Sequence, residues 1–232
     1  MRRVLIFSGI FAAFLAISLP AHAAKGIVLS GGGSGSILLT EKGSGAISEL
    51  GNGIEYRFEI PDPPYFPRVS DGVRFDIVPD PIRPGQEMAI NIVREIEGTL
   101  ITTPQSNPIT SNAGQSVLIQ GAQINGKITV NGGSIVIVGG SVIDGKVDCG
   151  NNGTLAVLGC RISGKLDSRT NNLLVGRNSI VGPVTSEGDR FISIRNCTIE
   201  GKLEIKSTPT EGCSIGGNTV NGKIVAPATC TP

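Results

Sequence analysis

Histidine, tryptophan and long apolar runs are what this chain lacks. Its 232 residues contain no Trp and a single His, His22, which sits in a stretch laid out as an export signal. There Arg2 and Arg3 form a basic start, Val4 to Leu19 an apolar run, and Ala21-His22-Ala23 an A-x-A cleavage site before Ala24, so residues 1–23 are expected to be removed. The run is interrupted by Ser8, Gly9 and Ser18 and is short for a membrane span. No later stretch approaches the roughly 18 apolar residues a span needs, so no transmembrane segment is expected in the mature chain. No Cys follows the run at a lipoprotein-like position, which argues against a lipid anchor there.

Each absence excludes a class of chemistry. Without His22 the mature chain has no His, which rules out Ser–His and Cys–His nucleophilic catalysis. Metal binding is the weaker reading of the five Cys, which are widely spaced and form no C-x-x-C. Aromatic residues are scarce as well: Phe7, Phe11 and Phe14 lie in the signal stretch, and Phe191 is alone beyond residue 113. Loss of Arg2 and Arg3 leaves 18 basic against 19 acidic residues, a formal charge near −1, so strong electrostatic capture of nucleic acid or an anionic membrane is not implied. Removing 23 of 232 residues leaves 209, enough for one elongated domain or two small ones.

What is present is a repeat. An x-Gly-Lys-apolar element recurs as Ile124-Asn-Gly-Lys-Ile128, Ile143-Asp-Gly-Lys-Val147, Ile162-Ser-Gly-Lys-Leu166, Ile180-Val-Gly-Pro-Val184, Ile199-Glu-Gly-Lys-Leu203 and Val220-Asn-Gly-Lys-Ile224. Successive starts lie 19, 19, 18, 19 and 21 residues apart. Counted back from each start, position −7 holds Val117, Val136, Leu155, Leu173, Ile192 and Cys213, and −5 holds Ile119, Val138, Val157, Val175, Ile194 and Ile215. Spacing of two is strand alternation with one face buried. Position +2 is Gly in every unit and −3 is Gly, Asn or Arg177, residues that mostly tolerate positive φ at a corner. Position −2 is small or polar: Ala122, Ser141, Cys160, Asn178, Cys197 and Asn218.

A unit of this length cannot bury its own apolar face, so neighbours must stack. The columns predict an all-β fold: a single-stranded parallel β-helix of about six rungs over residues 114–226, its hand left open, with a tail at 227–232. An antiparallel sandwich or barrel is the competing architecture. Upstream, residues 24–97 alternate as Ile54 to Ile60, Val73 to Val78 and Met88 to Val93, broken by Pro61, Pro63, Pro64, Pro67, Pro79, Pro81 and Pro84, which predicts a small β-barrel or sandwich. That domain is expected to cap the first rung. Residues 98–113 read as a connector that runs onto that rung.

The columns resemble the parallel β-helix repeats of bactofilin-like polymer-forming proteins and, more loosely, of the pectate-lyase-like superfamily. That resemblance implies the fold and not an activity. Bactofilins are cytoplasmic scaffolds, and the export signal departs from that. Glu41-Lys-Gly-Ser-Gly-Ala-Ile47, Ile54-Glu-Tyr-Arg-Phe58 and Asp71-Gly-Val-Arg-Phe-Asp-Ile-Val78 are similar to the motifs of a cold-shock domain, an OB-type barrel. The resemblance implies single-stranded nucleic-acid binding, but Ser44 and Ala46 stand where the family's stacking Phe residues belong. Base–aromatic stacking is worth roughly 1–3 kcal/mol per base, so their loss removes much of that affinity.

The outward positions carry charged side chains that a solvated surface also explains. Lys127, Lys146, Lys165, Lys202 and Lys223 form a stripe at +3, a candidate contact for an anionic polymer, with Asp148, Asp167 and Glu204 two residues on and placed to neutralise it. Asp144 and Glu200 complete the outward carboxylates, which form no evident catalytic pair. Gly31-Gly-Gly-Ser-Gly35 lacks the Lys-Ser/Thr ending of a P-loop and reads as a hairpin. Cys213 and Cys230 are the preferred disulfide, with Cys149–Cys160 second; Cys160 and Cys197 read as small core residues two rungs apart. No catalytic, cofactor or metal residue is assigned. The expectation is a non-enzymatic exported scaffold, periplasmic or extracellular, that self-assembles or meets an envelope or extracellular polymer. A polysaccharide-binding or polysaccharide-acting protein is the alternative, and a nucleic-acid binder the third.

Overall fold

A computed structural model describes residues 24–30, 34–42, 55–59, 68–169 and 172–230. The signal stretch, Gly31 to Gly33, Gly43 to Ile47, Tyr65, Phe66 and Pro61, Pro63, Pro64 and Pro67 lie outside these residues. The described residues are all β, with no helix.

Residues 24–97 form a closed barrel of β1 (Ala24–Ser30), β2 (Ser34–Lys42), β3 (Glu55–Glu59), β4 (Gly72–Pro79) and β5 (Glu87–Ile96), in the order β1-β2-β3-β5-β4. β3 meets β5 in parallel through Arg57 and Met88, and the other pairs are antiparallel. The β4–β5 turn is set by buried Asp80, whose Oδ1 accepts the N–H of Ile82 at 2.8 Å and of Arg83 at 3.2 Å. This Asx-type closure holds Pro81 and Pro84 where no ladder donor is needed.

Beyond the barrel the chain winds into a parallel solenoid of seven turns, one more than the repeat count predicts. The extra turn is the expected connector: β6 (Gly98–Ile101), an isolated bridge from Gln105 to Ile124, and β7 (Ile109–Asn112) stack on the second turn. It escapes the repeat because it has neither Gly-Lys nor a full apolar set. Three sheets run the length of the solenoid. The first, led by β6, continues through Ser116–Gln120, Ser134–Val138, Thr154–Leu158, Asn172–Gly176, Phe191–Ile194 and Gly212–Ser214. The second consists of two-residue strands from Gln123–Ile124 to Thr219–Val220. The third, led by β7, continues through Ile128–Asn131, Val147–Gly150, Leu166–Arg169, Val184–Glu187, Leu203–Ile205 and Ile224–Val225, and is here called the ladder face.

Two registers differ from the sequence columns. Val117 pairs with Ile135 and not Val136, and Ile162 pairs with Val181 and not Ile180. The core columns therefore run through Ile135, Ile137 and Val181, and the −2 corner through Ser179 in place of Asn178. The third and fifth turns hold one extra corner residue each. Gly139-Gly140 and Arg177-Asn178 are all at positive φ, where the other corners have one such residue, Gly121, Gly159, Asn196 or Gly217. The +2 glycines have a different cause: a Cβ on Gly145 or Gly164 would fall inside the contact radius of the stacked glycine carbonyl one turn below, at Gly126 and Gly145 respectively.

Inward columns fill the solenoid with Ile, Val and Leu, among them Ile124, Ile143, Ile162, Leu166 and Ile199, each fully buried. A second core lies outside it. Leu118, Val136, Ala156, Leu174 and Phe191 point outward from the first sheet and cluster with Ile27, Val28, Leu38, Phe58 and Phe75 of the barrel. The barrel thus lies along the flank of the solenoid, its described core residues packed on the first sheet and not over the end of the first turn, where capping was expected. Ser116 Oγ donates to Ser70 O at 2.9 Å, and Arg177 pairs with Glu55 at 2.6 Å across the same seam.

At the far end the Cys213–Cys230 disulfide forms as predicted. It draws the tail over the last turn, so that Cys230 and Ala226 pack on the core. Cys149 and Cys160 do not pair. Both are free and buried, like Cys197, because their columns point into a filled interior.

Candidate functional site

Four of the five predicted lysines line up on the ladder face with their carboxylates. Each lysine follows a corner Gly and precedes a core residue that opens the strand; after Lys146, Lys165 and Lys202 a carboxylate stands two residues on, on the same side, and after Lys127 Thr129 takes that place. Parallel stacking repeats this pair in successive turns. Asp148 is held by Lys127 of the turn below at 2.5 Å and by Lys146 of its own turn at 2.6 Å. Asp167 is held in the same way by Lys146 at 2.9 Å and Lys165 at 2.6 Å. Lys127, Asp148, Lys146, Asp167 and Lys165 therefore form one continuous zigzag, where each lysine was expected to meet only the acid of its own rung. Pro183 interrupts it, and Lys202–Glu204 at 2.7 Å resumes beyond. Lys223 is exposed in the last turn.

The zigzag shifts its groups in a consistent direction. Partial burial pushes the Asp148 and Asp167 carboxyls up, but hydrogen bonds from two ammonium groups apiece outweigh it and hold both below the usual carboxylate range. The hydrogen bonds of Lys146 to Asp148 and Asp167 raise its ammonium pKa. Beside the zigzag runs an amide ladder: Asn131 Nδ2 donates to Asn112 Oδ1 at 3.0 Å, and Asn151 Nδ2 to Asn131 Oδ1. Between them lies a shallow cleft of about 260 Å³ bordered by Lys127, Thr129, Lys146, Asp148 and Arg169.

The remaining outward carboxylates are each engaged alone. Asp144 accepts from Ser163 Oγ at 2.8 Å and Gln123 Nε2 at 3.3 Å, and Glu200 pairs with Arg161 at 3.1 Å. No group of three potential metal ligands occurs among the described residues. Of the aromatic residues the cold-shock resemblance brings forward, Tyr56, Phe58 and Phe75 are buried in the core shared by barrel and solenoid and present no stacking face.

Two polar constellations escaped the sequence columns. Asp189 is 2 % exposed and accepts from Ser168 Oγ at 2.9 Å and Ser186 Oγ at 2.5 Å, both serines standing in an inward column. The signal was a Ser pair at apolar positions, which calls for a buried partner. In the −2 corner a polar side chain in every second turn serves the turn below. Ser179 Oγ accepts from Cys160 N at 3.2 Å and donates to Gly176 O at 2.6 Å. Ser141 does the same for Ala122 N, and Asn218 for Cys197 N. The alternation was present in the sequence column, but the register slip put Asn178 where Ser179 makes the bonds.

No protein-family description, characterised protein or solved structure matches this chain.

Proposed function

We propose that this protein is an exported, non-enzymatic scaffold whose ladder face meets an anionic envelope or extracellular polymer. One observation carries the reading: the first sheet is occupied by the barrel, while the ladder face stays in solvent with a fixed row of ammonium groups. Three lysines share two aspartates, so the row keeps one more ammonium group than it has carboxylates for repeated anionic groups. A disulfide at the end of the chain suits an oxidising compartment, which supports export and the reading of residues 1–23 as its signal. The stacked turns also suit the bactofilin-like reading of the repeat.

The test is co-sedimentation with an insoluble anionic polysaccharide. Wild type is expected to pellet with it at low salt and to be released as salt rises. Lys146→Glu with Lys165→Glu should reduce pelleting severalfold, and undiminished pelleting of that variant removes the ladder from the reading. Release of soluble reducing ends moves the protein to the polysaccharide-acting alternative. Titration with single-stranded oligonucleotides at low salt decides the cold-shock-like reading, for which no binding is expected.

A further inference from the structure

The two ends of the solenoid are unlike. The last turn is crossed by the tail that Cys213–Cys230 holds down. The first turn has no strand beyond it among the described residues: Gln105 N–H bonds to Gln123 O at 2.9 Å and Ile109 N–H to Lys127 O at 3.0 Å, both toward the second turn. Its outer edge, carried by β6 and β7, meets no further strand among the described residues, although Asp71 of the barrel takes the Gly98 N–H at 3.3 Å and Gln115 the Asn112 N–H at 2.7 Å. Thr99, Leu100, Thr102, Thr103 and Thr110 are exposed there, and Ile101 and Ile109 leave the end of the core half covered.

Natural sheets usually blunt such an edge with charge. Here no charged residue occurs from Gly98 to Gly126, although both Glu97 and Lys127 flank the stretch. In a two-fold interface each residue near the axis faces its own copy, so charges would repel and a neutral, threonine-rich edge is the complementary one. We infer that this edge is the contact for a second copy of the chain, two first turns meeting across a two-fold axis with their strands antiparallel. Ile101 and Ile109 of the two copies then close one continuous core. Because the other end is closed by the tail, association stops at two and no filament grows. A single turn of about 18 residues falls just short of the 20–30 residues per side of a standard interface, so the contact is at the small end and the dimer should depend on concentration.

This inference stands on the solenoid's ends and not on the ladder face, so either can fail alone. Sedimentation velocity over a range of concentrations is the test, with thermal unfolding to show that each variant is folded. Wild type and the flank control Gln123→Lys are expected to pass from monomer to dimer as concentration rises. Thr99→Lys and Thr102→Lys, both at exposed positions, should each weaken the dimer by about tenfold or more. A wild type monomeric at every concentration overturns the inference. So does a dimer that survives both edge lysines, or a wild type that grows past two copies.

Discussion

At the scale of single residues, the turns are stitched together by groups whose partners lie one turn away. Ser179→Ala leaves the Cys160 N–H buried without its acceptor, and the loss should be about 1–3 kcal/mol in denaturant unfolding. Ser193 presents the opposite case: its hydroxyl is fully buried on the barrel side with no hydrogen-bond partner among the described residues, so Ser193→Ala is expected to raise the unfolding midpoint. Gly164→Ala should destabilise by about 1–3 kcal/mol, since the new Cβ meets a backbone carbonyl that cannot move alone. The zigzag sets a pH dependence. The folded pKa values of Asp148 and Asp167 lie below their unfolded values, so their contribution is present above about pH 4 and is lost as pH falls through the lower folded values. The difference in thermal midpoint between wild type and Asp148→Asn should accordingly shrink as pH falls from neutral toward 2.

At the scale of the element, periodicity made the inner columns legible because each turn repeats one buried face at nearly constant length. Where a turn takes an extra corner residue, as at Gly139-Gly140 and Arg177-Asn178, constant spacing misleads by one, and a shift of one turns a side chain to the other face. The first turn was illegible for a different reason: it stacks by backbone pairing with few of the repeat's side chains. The last turn was legible in its disulfide, whose closed loop spans 17 residues. Opening it by Cys230→Ser should lower stability by about 3 kcal/mol, measured by denaturant unfolding, and expose Ala226 and the end of the core to solvent. The three other thiols lie in inward or corner columns, and burial raises the pKa of each, that of Cys197 to about 12. They should be inert to a thiol reagent in the native protein and react on unfolding.

At the scale of the whole molecule, the zigzag was half legible, because one Lys and one acid per turn can be read from spacing while the sharing between turns needs the stack. The seating of the barrel was missed, yet it left a trace: Val117-Leu-Ile, Ile135-Val-Ile-Val, Leu155-Ala-Val-Leu and Leu173-Leu-Val are unbroken apolar runs, the mark of a strand buried on both faces. The consequence of that seating is mechanical. Hydrogen bonds between turns run along the solenoid axis, so tension along it loads them directly and opens the stack one turn at a time. The barrel packs on five successive turns, from Leu118 to Phe191, and acts as a splint that forces them to part together. Under load the last turn, which lies beyond the splint, is where the rod gives way.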